Sequence, residues 1–119
     1  MSAHRIKSYS AETGYVYQYH FETVRPGQRR AGQPGSEYVF IVSRDRKHSF
    51  AVPLFLRDDA LAAWAAAHGR HLDGTEQYAT VKMRLFRAFD EAPDLERERL
   101  RIEVAPENIE ELLARLDIG

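Results

Sequence analysis

The chain has 119 residues, 44% of them hydrophobic, and 17 Lys and Arg against 18 Asp and Glu, a net charge of −1. That length supports one domain with a genuine core, and the balanced charge excludes a uniformly basic nucleic-acid coat and an acidic disordered tail. Cysteine is absent, which removes disulfides, thiolate metal sites and cysteine nucleophiles together.

The charge is unevenly distributed. Residues 1–57 carry nine basic and four acidic side chains, a balance of +5, and residues 90–119 carry four basic and ten acidic, a balance of −6. The longest apolar run, residues 60–67, is too short to cross a bilayer. No apolar stretch follows the basic residues of the N-terminus, as a secretory leader would require. A cytoplasmic protein with no membrane contact is expected.

The first half reads as strands. From residue 15, Tyr15, Tyr17, Tyr19 and Phe21 alternate with Val16, Gln18, His20 and Glu22. This period of two gives a strand with one aromatic and one polar face. Gly14 marks a turn before it, and residues 6–10 fit a short partner strand. Residues 25–35 hold five Gly or Pro, three Arg and no large hydrophobe. That composition predicts an exposed flexible loop. Residues 37–43 are apolar on both faces, as a central strand requires. Residues 44–47 (Arg-Asp-Arg-Lys) form a polar turn. A third strand spans 48–56, with Phe50, Val52, Leu54 and Leu56 on one face. Pro53 cannot donate to a ladder, so it predicts an edge or a bulge.

The period then becomes helical. Asp58 or Asp59 suits the N-cap of a helix over 60–68, and Gly69 its C-cap. Thr75 caps a second helix running to about residue 89. Its buried stripe is Tyr78, Val81, Leu85 and Phe89, widened by Met83 and Phe86, while Lys82, Arg84 and Arg87 take the wet face. Leu100, Ile102 and Val104 alternate with charged residues as a fourth, half-buried strand. Pro106 fits the first turn of a last helix with Ile109, Leu112, Leu113 and Leu116 inward. The order is β-β-β-α-α-β-α, with residues 6–10 as an extra strand in front. The expectation is a single α+β domain over 1–119: a single-layer, mainly antiparallel sheet with helices packed on one face.

Signals for chemistry are few. His68 and His71 have an H-x-x-H spacing, but Gly69 ends the helix between them and no accompanying carboxylate pattern is present. Gly27 and Gly32 have phosphate-loop spacing without the Lys-Ser or Lys-Thr that would follow. No nucleophile elbow occurs. We therefore expect no metal, no cofactor and no catalytic residues. Arg25, Arg29 and Arg30 in one loop and Arg44, Arg46 and Lys47 in the next are candidates for contacting an anionic ligand or nucleic acid. Their loops should lie about 20–25 Å apart, one strand length at ~3.3 Å per residue, too far for one compact clamp. Tyr15, Tyr17 and Tyr19 could stack a planar ligand, although such a row more commonly packs under helices.

The function expected is a small non-catalytic binding or interaction module that self-associates as a homodimer or meets a protein partner. Its sheet has a polar face and a free edge near Pro53, and the opposite charges of its two ends favour complementary contacts. Two alternatives stand beside it. One is nucleic-acid binding through the basic loops. The other is a small enzyme using His20 with Glu22, or His68 with His71.

Overall fold

The computed structural model describes residues 5–118. Five strands form one curled sheet: β1 (Lys7–Ser10), β2 (Val16–Arg30), β3 (Gln33–Ser43), β4 (Ser49–Arg57) and β5 (Glu103–Val104). They lie side by side in chain order, the first four antiparallel and β5 parallel to β4. Four helices, α1 (Asp58–His68), α2 (Gly74–Glu91), α3 (Leu95–Glu98) and α4 (Ile109–Ala114), follow β4, with β5 before the last. The fold is α+β, with helices packed on the sheet.

Alternation explains which face the helices cover. Tyr17 and Tyr19 of β2 point inward with Tyr38, Phe40 and Val42 of β3 and Val52, Leu54 and Leu56 of β4, all buried. The amphipathic stripe of α2 answers them with Val81, Leu85 and Phe89. Phe89 stacks on Tyr17 at 4.3 Å between ring centroids, and Phe86 stacks on Tyr9 at 4.4 Å. Burying a side chain of this size contributes about 1.5–3 kcal/mol. Trp64 of α1 and Ile109, Leu112 and Leu113 of α4 close the core.

Several expectations change in detail. Residues 25–35 are exposed for most of their length, but they are the end of a hairpin rather than a loop. β2 runs on to Arg30, and Ala31 and Gly32, with φ of 51° and 81°, make a two-residue turn into β3. Positive φ at both central positions matches the right-handed twist of the strands. Pro26 and Gly27 fall in a bulge between Arg25 and Gln28. β1 pairs only with residues 16–19 of β2, so Pro26 sits on an edge where no ladder bond is lost. Tyr15 lies just before β2 and is exposed.

Pro53 is in register between β3 and the sheet margin, because β5 reaches only Phe55 and Leu56. The fourth strand expected over 100–104 shrinks to β5. Asp94 caps the single turn of α3, and Arg99–Arg101 continues as a 3-10 turn that leaves Leu100 exposed. Helix α1 begins at Asp58, so Arg57 is its N-cap without a side-chain cap bond and Asp58 and Asp59 lie in the first turn, where the Asp59 carboxylate pairs with the Arg57 guanidinium at 2.5 and 2.9 Å. Helix α2 is capped by Asp73 rather than Thr75. Asp73 accepts from the Glu76 amide at 2.8 Å and Glu76 accepts from the Asp73 amide at 3.0 Å, a complete capping box. Pro106 lies in the turn before α4.

Lys82, Arg84 and Arg87 do not form a wet face. Arg84 donates to the Glu103 carbonyl at 3.2 Å and Arg87 meets Glu111 at 2.6 Å, while Lys82 lies among aromatic rings. No helix among the described residues is long and apolar enough to cross a membrane.

Candidate functional site

The two basic tips stand at opposite ends of β3, as the strand order requires. At the hairpin tip the arginines bind their own chain. Arg25 meets Glu37 at 3.0 Å, and Arg29 donates to the Gly32 carbonyl at 2.7 Å. Arg30 donates to the carbonyls of Ile102, at 2.7 Å, and of Pro53, with its guanidinium 5.1 Å from the Phe55 ring centre. Burial lowers its pKa from the ordinary arginine value. Arg30 thus fastens the curled hairpin to the far margin of the sheet.

At the other tip, Tyr15, Tyr17 and Arg44 come together. The Arg44 guanidinium lies 4.2 Å from the Tyr15 ring centre and lines the same cleft as Tyr17. Burial raises the Tyr17 pKa, against the opposing pull of Arg44. Beside them His48 meets Glu96 of α3 at 3.1 Å. The turn itself is built on Asp45, whose carboxylate accepts from the amides of Lys47 at 2.9 Å and His48 at 2.8 Å. Those two donors hold its pKa below the usual carboxylate value. The cleft between this turn and α3 is about 70 Å³, room for roughly two waters at ~30 Å³ each.

Arg46 turns to the opposite side of the sheet. With the Gln18 amide oriented so that its oxygen faces Arg46, that oxygen accepts at 2.8 and 3.2 Å. This places Arg46 at the margin of the face without helices. Register assigns the residues of that face: Ser8 and Ser10 oppose Gln18 and Val16, His20 opposes Ile41, and Ile41 opposes Ala51. Val16 is 49% exposed, and Ile6, just before β1, is 66% exposed. A shallow groove of about 220 Å³ runs among Ile6, Gln18, His20, Ile41, Ser43 and Lys47. Towards the hairpin tip the same face becomes dry. Val39 and Phe55 are buried there, Phe55 against Gly35 and Arg30.

The histidine sites take ordinary partners. His20 faces Glu22 at 3.5 Å on the helix-free side. His68 stacks on Trp64 and meets Glu110 of α4 at 2.9 Å, while His71 is exposed beyond the helix end. Among the described residues no group of three or more His, Asp or Glu is arranged to hold a metal ion.

One group of residues had no signal in the sequence. Lys7 of β1, opposite Tyr19 in register, and Lys82 of α2 come from distant parts of the chain and stand beside the same tyrosine. The Lys82 ammonium lies 5.9 Å from the Tyr19 ring centre and 5.8 Å from those of Tyr78 and Phe86. Arg5 lines the adjoining cleft of about 190 Å³ with Lys7, Tyr19, His20, Phe21 and Tyr78.

The arrangement defines a small α+β fold with one sheet face under helices and, among the described residues, no helix on the other. Comparison with protein families, with curated proteins and with solved structures finds no match to this chain.

Proposed function

We propose that the protein is a non-catalytic binding module that self-associates as a homodimer, in the cytoplasm, through the helix-free face of its sheet. The observation that carries this reading is the surface at Ile6, Val16, Ile41 and Ala51. It joins the exposed Ile6, Val16 and Ala51 to the half-buried Ile41, with Gln18, His20 and Ser43 between them. Two such faces meeting about a two-fold axis would bury both apolar sets at once. Each apolar group removed from water contributes about 25 cal/mol per Å².

The margin of β2 makes edge-to-edge pairing the poorer route. Its outer margin beyond residue 19 carries two bulges, Pro26, Arg25 and Arg29, the features that keep a bare strand from pairing with another chain. Face-to-face packing is the arrangement left. Light scattering on material eluting from a sizing column tests the proposal. The expected mass is twice that of the 13.7 kDa chain; a mass of one chain at every concentration would overturn it.

A further inference from the structure

We propose that Arg5, Lys7 and Lys82, with the hydroxyl groups of Tyr19 and Tyr78, form a binding pocket for a small phosphate dianion of the phosphate-monoester class. It is a second site, around the margin of β2 from the sheet face above and sharing His20 with it, and the argument for it stands without that face.

The argument begins with unbalanced charge. Two amines beside one ring repel each other when both are protonated, and withdrawing one from water among aromatic rings adds a desolvation cost. Proteins ordinarily offset both with a carboxylate. Here none of the ion pairs among the described residues includes Arg5, Lys7 or Lys82. The residues lining the cleft include no acid, and Glu22, on the same strand as Tyr19, faces His20. Burial and the charge of Lys7 together lower the Lys82 pKa. An anion in the cleft reverses each of these effects.

The shape of the donor set favours phosphate. Arg5 presents a planar fork, Lys7 and Lys82 present point charges, and two phenols can donate to remaining oxygens. The rings of Tyr19, Tyr78 and Phe21 wall the site, so an anion there sits in a region of reduced dielectric. A lysine stem lying along aromatic surface explains the position of Lys82 taken alone. It does not explain why Lys7 faces the same point from the neighbouring strand with Arg5 beside it.

The test uses the full chain and inorganic phosphate, titrated at constant ionic strength with chloride as the balancing ion and followed by backbone amide shifts. Saturable shifts centred on Tyr19, Tyr78 and Lys82 are expected. Lys7→Met removes an exposed side chain from a four-residue strand and should weaken binding roughly tenfold or more with the melting temperature unchanged. Lys82→Arg keeps the charge and should retain binding, whereas Lys82→Met should lose it. Phenyl phosphate distinguishes a free ion from a ligand-borne phosphoryl group: tighter binding than inorganic phosphate supports the monoester. Absence of saturable shifts in the wild-type chain, or equal affinity in Lys7→Met, overturns the proposal, as does weaker binding of phenyl phosphate.

Discussion

Gly35 has no room for a side chain. A Cβ there would lie 2.4 Å from the Leu56 carbonyl oxygen and 2.8 Å from the Phe55 ring, so backbone or a buried ring must move. Gly35→Ala should destabilise the domain by about 1–3 kcal/mol, measured by urea unfolding, because overpacking at a backbone contact cannot be relieved by a rotamer change. The tyrosines make a second prediction. The Tyr9 hydroxyl is withdrawn from water and donates to Asp90, which pushes its pKa up to about 12, and burial raises those of Tyr17, Tyr19, Tyr38 and Tyr78. Unfolded tyrosines titrate near 10, so above that pH the unfolded chain has released protons the folded chain keeps. The stabilisation from these groups is complete below pH 10 and is lost as pH rises towards 12. Absorbance of tyrosinate against pH should show late, cooperative ionisation coupled to unfolding; five tyrosines ionising at 10 with the fold intact would refute the assignment.

At the scale of elements, two fastenings matter. Helix α2 starts at the capping box of Asp73 and Glu76, and Glu76 also accepts from Arg70 at 2.8 and 2.9 Å. Those donors, Arg70 first, hold Glu76 at about 2. Its contribution is present above the ordinary glutamate value and declines as pH falls towards 2. Asp73→Ala should cost about 1 kcal/mol in thermal or urea unfolding, and Glu76→Gln should flatten the acid limb of the stability curve. The hairpin end depends on Arg30. Arg30→Met removes a charged donor from the Pro53 and Ile102 carbonyls, leaving Ile102 with the Phe55 amide, and should cost about 1–3 kcal/mol, with amide exchange accelerating over residues 25–35.

The elements also show what could be read in advance. The aromatic period of β2, the two-sided apolar run of β3 and the stripes of α2 and α4 were legible because one-dimensional period fixes which face is buried. Residues 25–35 misled because Gly, Pro and Arg suit a loop, yet bulges and a free edge accommodate the same residues in a strand. The role of Arg30 was hidden because its acceptors lie 23 and 72 residues away. The approach of Lys7 and Lys82 to the same tyrosine was hidden for the same reason: no local spacing encodes a neighbourhood made by tertiary packing.

Across the whole molecule, the charge gradient of the chain folds partly onto itself. Acidic residues of the second half meet the first half at His48–Glu96 and Arg57–Glu103, and Asp90 accepts from Tyr9 and the Glu12 amide. Helices therefore cover one sheet face with both apolar and charged contacts, while the other keeps Ile6 and Val16 in water. The central claim is that this bare face joins two copies. Sedimentation equilibrium of the wild-type chain beside Val16→Lys, with Leu100→Lys as a control at an exposed leucine outside that face, tests it most directly. The account predicts a dimer for the wild type and for Leu100→Lys, and a monomer for Val16→Lys with an unchanged circular dichroism spectrum. A wild-type monomer, or a dimer equally stable in Val16→Lys, would contradict it.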